Sequence, residues 1–234
     1  MKHTPLTILT VISLALVGCG STQAEEPAPE TTETIEQTQP EQTPQADSMN
    51  QDPTADSEYT LDQEYFFYGK TPGVVGKFEL PSEPVNEIEE LREQVDAPEV
   101  TYITATIDNR QGAEGQRVQA ISLFDEAGQQ YEFTMAANHI DEWRGMLPQE
   151  PEHGNPENVG DYNTYIEVGN QYRHGADAGE VKQIVLLHEG TDLPEDITRV
   201  AVYTSGLGSE PVAALPTDHP EASHVDLDFQ APTN

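Results

Sequence analysis

One cysteine among 234 residues leaves no partner for an intramolecular disulfide, so any folded part must be held by its apolar core. Basic residues are almost as scarce in proportion. Lys and Arg number 10 against 43 Asp and Glu, a formal net charge of −33. A phosphate backbone is bound through a basic footprint, so this balance argues against nucleic acid as a partner. Long apolar runs are lacking too. The longest, Leu6 to Val17, is broken by Thr7, Thr10 and Ser13. About a dozen residues at ~1.5 Å rise cannot cross a hydrocarbon core of ~30 Å, which argues against a transmembrane helix. Between Lys2 and Lys70 there is no Lys or Arg at all, while acids recur throughout.

The single cysteine is informative by its position. Lys2 and His3 form a short charged start, the apolar run follows, and Leu16-Val17-Gly18-Cys19 closes it. This is the design of a secretory signal peptide with a Cys where the mature chain would begin. The motif resembles the lipobox of bacterial lipoproteins. The resemblance implies cleavage before Cys19 and a diacylglyceryl thioether on its thiol, with residues 1–18 as signal peptide. Two acyl chains would then anchor the protein to a membrane, each buried CH2 contributing about 0.8 kcal/mol.

From Cys19 to Ser57 the chain is mainly Glu, Thr, Gln, Pro and Ala, with Ile35 an isolated aliphatic residue. Such a segment cannot bury enough apolar surface to offset its ordering entropy. It is expected to be a disordered stalk, extended by its prolines and like charges. A flexible coil of this length spans about 35 Å and a fully extended one roughly 120 Å.

Residues 58–234 are expected to form one domain, since that length suffices for a real core. Tyr65 to Tyr68, then Val74 to Leu80 after the Gly69–Gly73 turn, read as short strands. Ile88, Leu91 and Val95 recur at helical spacing. Val100 to Asp108 alternates with β-branched residues dominant, and Val118–Phe124 with Tyr131–Thr134 flank an Asp125–Gly128 turn as a β-hairpin. Asn138 is placed to cap a short helix bearing Ile140, Trp143 and Leu147. Pro148 to Asp161 reads as a long loop, and Tyr165–Val168, Val181–His188 and Ile197–Tyr203 as further strands. Short strands with turn signals between them predict an all-β sandwich with one or two short helices.

The run from Tyr102 to Asn109, alternating and ending in Asn before a glycine-bearing turn, resembles a core strand of telokin-like, immunoglobulin-like domains of bacterial lipoproteins. Leu123 to Gly128 followed by Tyr131, Gly179 to Val185, and Leu193-Pro194 leading to Val200 and Val202 are similar to other steps of that pattern. The resemblance covers about Val100 to Tyr203. It implies an immunoglobulin-like β-sandwich and supplies no catalytic residues.

Sequence signatures for chemistry are weak. Gly69-Lys70-Thr71 has the end of a P-loop, but Glu64 stands where the first glycine belongs. Ser205 lacks the flanking glycine of a nucleophile elbow, and Gly206-Leu207-Gly208 has no third glycine. His219, His224, Asp226 and Asp228 form one ligand-like cluster, in which His224 and the two aspartates would share a face of a strand. Its simpler reading is a solvated polar tail. Trp143 reads as a core plug, and the Pro148–Asp161 loop is a candidate binding element by position. The expectation is therefore a non-enzymatic envelope lipoprotein, without cofactor or metal site, acting as a binding or scaffold module. Its contacts would be the membrane, through Cys19, and an envelope protein or wall component. A cation- or small-solute-binding lipoprotein is the alternative, and an envelope hydrolase ranks third. The acidic surface fits solvation in salty or alkaline surroundings, or attraction of cations.

Overall fold

A computed structural model of the protein describes residues 58–150, 155–205 and 210–230. The expected signal peptide, Cys19 and the expected stalk lie outside them. The described residues are mainly β. Eight strands run as β1 (Gln63–Tyr68), β2 (Val75–Leu80), β3 (Val100–Asp108), β4 (Val118–Asp125), β5 (Gln130–Met135), β6 (Val181–Glu189), β7 (Ile197–Thr204) and β8 (Val212–Pro216). Three helices, α1 (Asn86–Gln94), α2 (Ala136–Met146) and α3 (Val159–Gln171), interrupt them.

The expected sandwich is corrected to a closed barrel. Its strand order is β1-β2-β3-β6-β5-β4-β7-β8, antiparallel throughout, and β8 returns to pair with β1. The residues that close the ring, Val212 to Pro216, carry two alanines, follow Pro211 and end in Pro216. They have little strand signature, and sequence reading passed over them. Period-two alternation is the same in a sandwich and in a barrel, so only this pairing distinguishes the two.

Eight strands enclose a space that side chains can fill. Here Tyr65, Phe67, Phe78, Ile103, Leu123 and Phe133 fill it, all at most 2% exposed. Phe67 faces Gly76 across the β1–β2 ladder, and a Cβ on Gly76 would lie 2.2 Å from the Phe67 ring. In β4, Val118 and Ile121 both join this core despite their odd spacing. A bulge at Gln119 shifts the register between Val118 and Ala120 and turns the strand over.

The outer wall of β3 and β6 is covered by the three helices. Tyr102 of β3 and Val185 and Leu187 of β6 pack with Ile88, Leu91, Ile140, Trp143 and Tyr165 into a second core. Trp143 is thus a core plug, 3% exposed. Hydrogen bonds tie α1 down. Tyr102 Oη donates to Glu89 Oε1 at 2.6 Å, Arg92 donates to Glu89 Oε2 at 2.8 Å and to the Ala97 carbonyl at 2.9 Å, and Tyr165 Oη donates to the Leu91 carbonyl at 2.5 Å. Burial alone would raise the Glu89 carboxyl, but the hydrogen bonds from Arg92 and Tyr102 outweigh it and hold it below its ordinary value.

Two helical assignments differ from the sequence reading. Tyr165–Val168 belongs to α3 rather than to a strand, because Asn158 starts a helix there: its side chain accepts from the Gly160 and Asp161 amides. The Pro148–Asp161 loop is correspondingly shorter, and Glu150 N to Asn155 O and Glu157 N to Pro148 O fold it back on itself. Asn138 does not cap α2 but lies inside it. β5 runs directly into this helix, and Met135 stands at the cap position without a side-chain hydrogen bond.

Candidate functional site

The residues singled out in the sequence do not assemble into one site. Gly69-Lys70-Thr71 lies in the turn between β1 and β2, where Gly69 N donates to the Val74 carbonyl at 2.9 Å. A phosphate-binding loop joins a strand to a helix, so this turn has the wrong context. The Ser205 hydroxyl accepts a hydrogen bond from Arg117 N at 3.0 Å and is used to hold backbone. Gly206-Leu207-Gly208 and the tip of the Pro148–Asp161 loop lie outside the described residues.

The shared strand face weighed for the C-terminal cluster is corrected as well. Its segment is not a strand. His219 caps a short 3-10 helix, Pro220–His224, by accepting from Glu221 N. Asp226 Oδ1 accepts from Asp228 N at 3.1 Å, a local turn bond. The residues beyond are anchored to the barrel instead. Lys77 Nζ donates to the Leu227 carbonyl at 3.0 Å and stands 5.0 Å from the centre of the Phe229 ring. Phe66, which alternates with Tyr65 and Phe67 along β1, is completely buried on the same outer side. Phe229 is itself 3% exposed, so the tail packs against the barrel at Lys77.

A different group does converge. His139 and Glu142 stand three residues apart on α2, on one face of the helix. Glu189 ends β6 at the same parity as Val185 and Leu187, the residues that face the helices. One ring nitrogen of His139 and one carboxylate oxygen from each glutamate lie within 4.8 Å of one another. His139 is 8% exposed, whereas both glutamates are exposed. The His139 Nε2 lies 2.9 Å from the Thr134 hydroxyl, and Thr134 pairs with Leu187 across β5 and β6. Its Nδ1 is buried with no hydrogen-bond partner among the described residues. The Trp143 ring packs against the imidazole at 6.2 Å between centroids.

Electrostatics in this group are opposed. Burial lowers the His139 pKa below its ordinary value of 6.5, while Glu142, Glu189 and the Leu187 carbonyl pull the other way and His188 adds to the lowering. The net result favours a neutral imidazole beside two carboxylates. Chemically this is an electron-pair-donor set: one imidazole and two carboxylates facing one point. Sequence reading missed it because Glu189 is 47 positions from Glu142, and only the β5–β6 pairing and the start of α2 bring them together. The one local signal was the His-x-x-Glu spacing within the helix.

Comparison with protein-family models, with curated proteins and with solved structures returned no match.

Proposed function

We propose that this chain is a cell-envelope lipoprotein, anchored outside the cytoplasm through lipid on Cys19, whose barrel acts as a non-catalytic binding or scaffold module. The observation that carries this reading is the Leu16-Val17-Gly18-Cys19 motif at the end of the apolar run. The acidic, Pro-containing segment after it suits a spacer that lifts a domain from the bilayer. A barrel whose interior is occupied by its own aromatic side chains is suited to recognition through its outer surface. The partner is an envelope protein or a wall component, with nucleic acid disfavoured by the charge.

The test has two arms. Cys19→Ser should abolish incorporation of labelled palmitate and leave the precursor uncleaved; labelling at the wild-type level would remove the anchor. In-cell crosslinking of the tagged full-length protein should enrich a dominant partner at near-equal amount. Enrichment no greater than that of an unrelated lipoprotein would overturn the scaffold role.

A further inference from the structure

We propose that His139, Glu142 and Glu189 form a binding site for a single first-row transition-metal dication of the zinc class. This goes beyond the scaffold reading and does not depend on the anchor.

The donor set carries the inference. A metal-ligating histidine donates its other ring N–H to a neighbouring oxygen, which fixes the tautomer. Thr134 Oγ1, 2.9 Å from Nε2, occupies that position. This leaves the lone pair of Nδ1, a buried nitrogen with no hydrogen-bond partner among the described residues. An unpaired buried polar atom is destabilising, and coordination would relieve it. The carboxylates supply two negative charges, so the ion would be neutralised on the spot.

Spacing is compatible. Ligand atoms around a tetrahedral zinc at ~2.0–2.1 Å stand about 3.3 Å apart. One ring nitrogen of His139 and one oxygen of each carboxylate already lie within 4.8 Å of one another, and the two groups that must close in belong to exposed glutamates. A carboxylate and an imidazole one helical turn apart reach a common ion in other helical metal sites. The ring is held between the Thr134 hydroxyl and Trp143, so one ligand is preorganised. Imidazole favours zinc, copper, nickel or iron over calcium and magnesium, which prefer oxygen alone. Three protein ligands leave a fourth position for water or for a group from outside the chain.

The full-length chain, purified in detergent and stripped with chelator, is titrated with Zn2+ by calorimetry. His139→Gln, Glu142→Gln and Glu189→Gln are titrated in parallel. The wild type should show one saturable site absent from, or weakened at least about tenfold in, each variant. Co2+ should give visible d–d absorption that His139→Gln abolishes and that equimolar Ca2+ does not displace. The carboxylates elsewhere in this acidic chain bind cations in all four proteins alike, so the difference between them isolates the site. The two glutamates are exposed, so their variants should melt with the wild type without metal, and they decide the matter if His139→Gln does not fold. Zn2+ binding unchanged in both Glu142→Gln and Glu189→Gln would overturn the proposal.

Discussion

Gly76 shows how a single atom can be dictated by tertiary packing. Its φ is not in the left-handed region, and nothing local demands glycine. The demand comes from the Phe67 ring, which occupies the volume a Cβ would need, with Ile107 Cδ1 a further 3.0 Å neighbour. Gly76→Ala should therefore cost about 1–3 kcal/mol by overpacking. Phe67→Leu in the same chain should recover part of that loss, read as a coupling in a denaturation cycle. Additive effects of the two changes would mean that the ring and the glycine do not meet. Asn109 is the polar counterpart. It is fully buried at the end of β3, and its Nδ2 donates to the carbonyls of Glu114 and Ala176 at 2.9 and 3.0 Å. The strand ends there because this side chain fastens the next turn to the segment leading into β6. The sequence showed an Asn before a glycine-bearing turn but not the second carbonyl, 67 positions away.

At the scale of elements, the strands with strong alternation were legible and the helices were less so. The bounds of β3, Val100–Asp108, follow directly from its β-branched alternation. Helix α3 reads as a strand in the sequence because Tyr165, Ile166 and Val168 are all residue types that favour strands. Its start is set by Asn158, whose Oδ1 accepts from Gly160 N at 2.9 Å. Asn158→Ala should lower stability by about 1 kcal/mol, with the loss seen as earlier amide exchange in the first turn of α3. Unchanged melting and exchange would show that the helix is held by the Tyr165 and Val168 contacts alone. The missed strand β8 illustrates the reverse case, in which pairing with β1 and β7 imposes extended structure on a weak sequence.

For the whole molecule, charge is the dominant physical variable. Among the described residues, Arg92, Arg110, Arg144 and Arg173 are each paired with a nearby carboxylate. Ten basic residues cannot balance 43 acids, so like-charge repulsion opposes the folded state. Screening reaches from about 30 Å at 0.01 M salt to about 8 Å at 0.15 M. The melting temperature should accordingly rise by a few degrees between those concentrations of NaCl, a change on the scale of about 1 kcal/mol. A melting temperature independent of salt would mean that the acids are too far apart, or too well solvated, to destabilise the barrel.

By itself, the sequence determined the properties that are sums or short-range patterns. These are the negative charge, the impossibility of an internal disulfide, the mainly β character, and the apolar run ending at Cys19 on which the proposed anchor rests. Tertiary structure decided whatever depends on which strand meets which. Closure of the barrel rests on Phe66 pairing with Leu215, some 150 positions on, and alternation carries no record of its neighbour. The His139, Glu142 and Glu189 group is likewise a product of strand pairing. Two of its members share a helix turn, but the third arrives only because β5 and β6 pair at Thr134 and Leu187 and place the end of β6 beside α2.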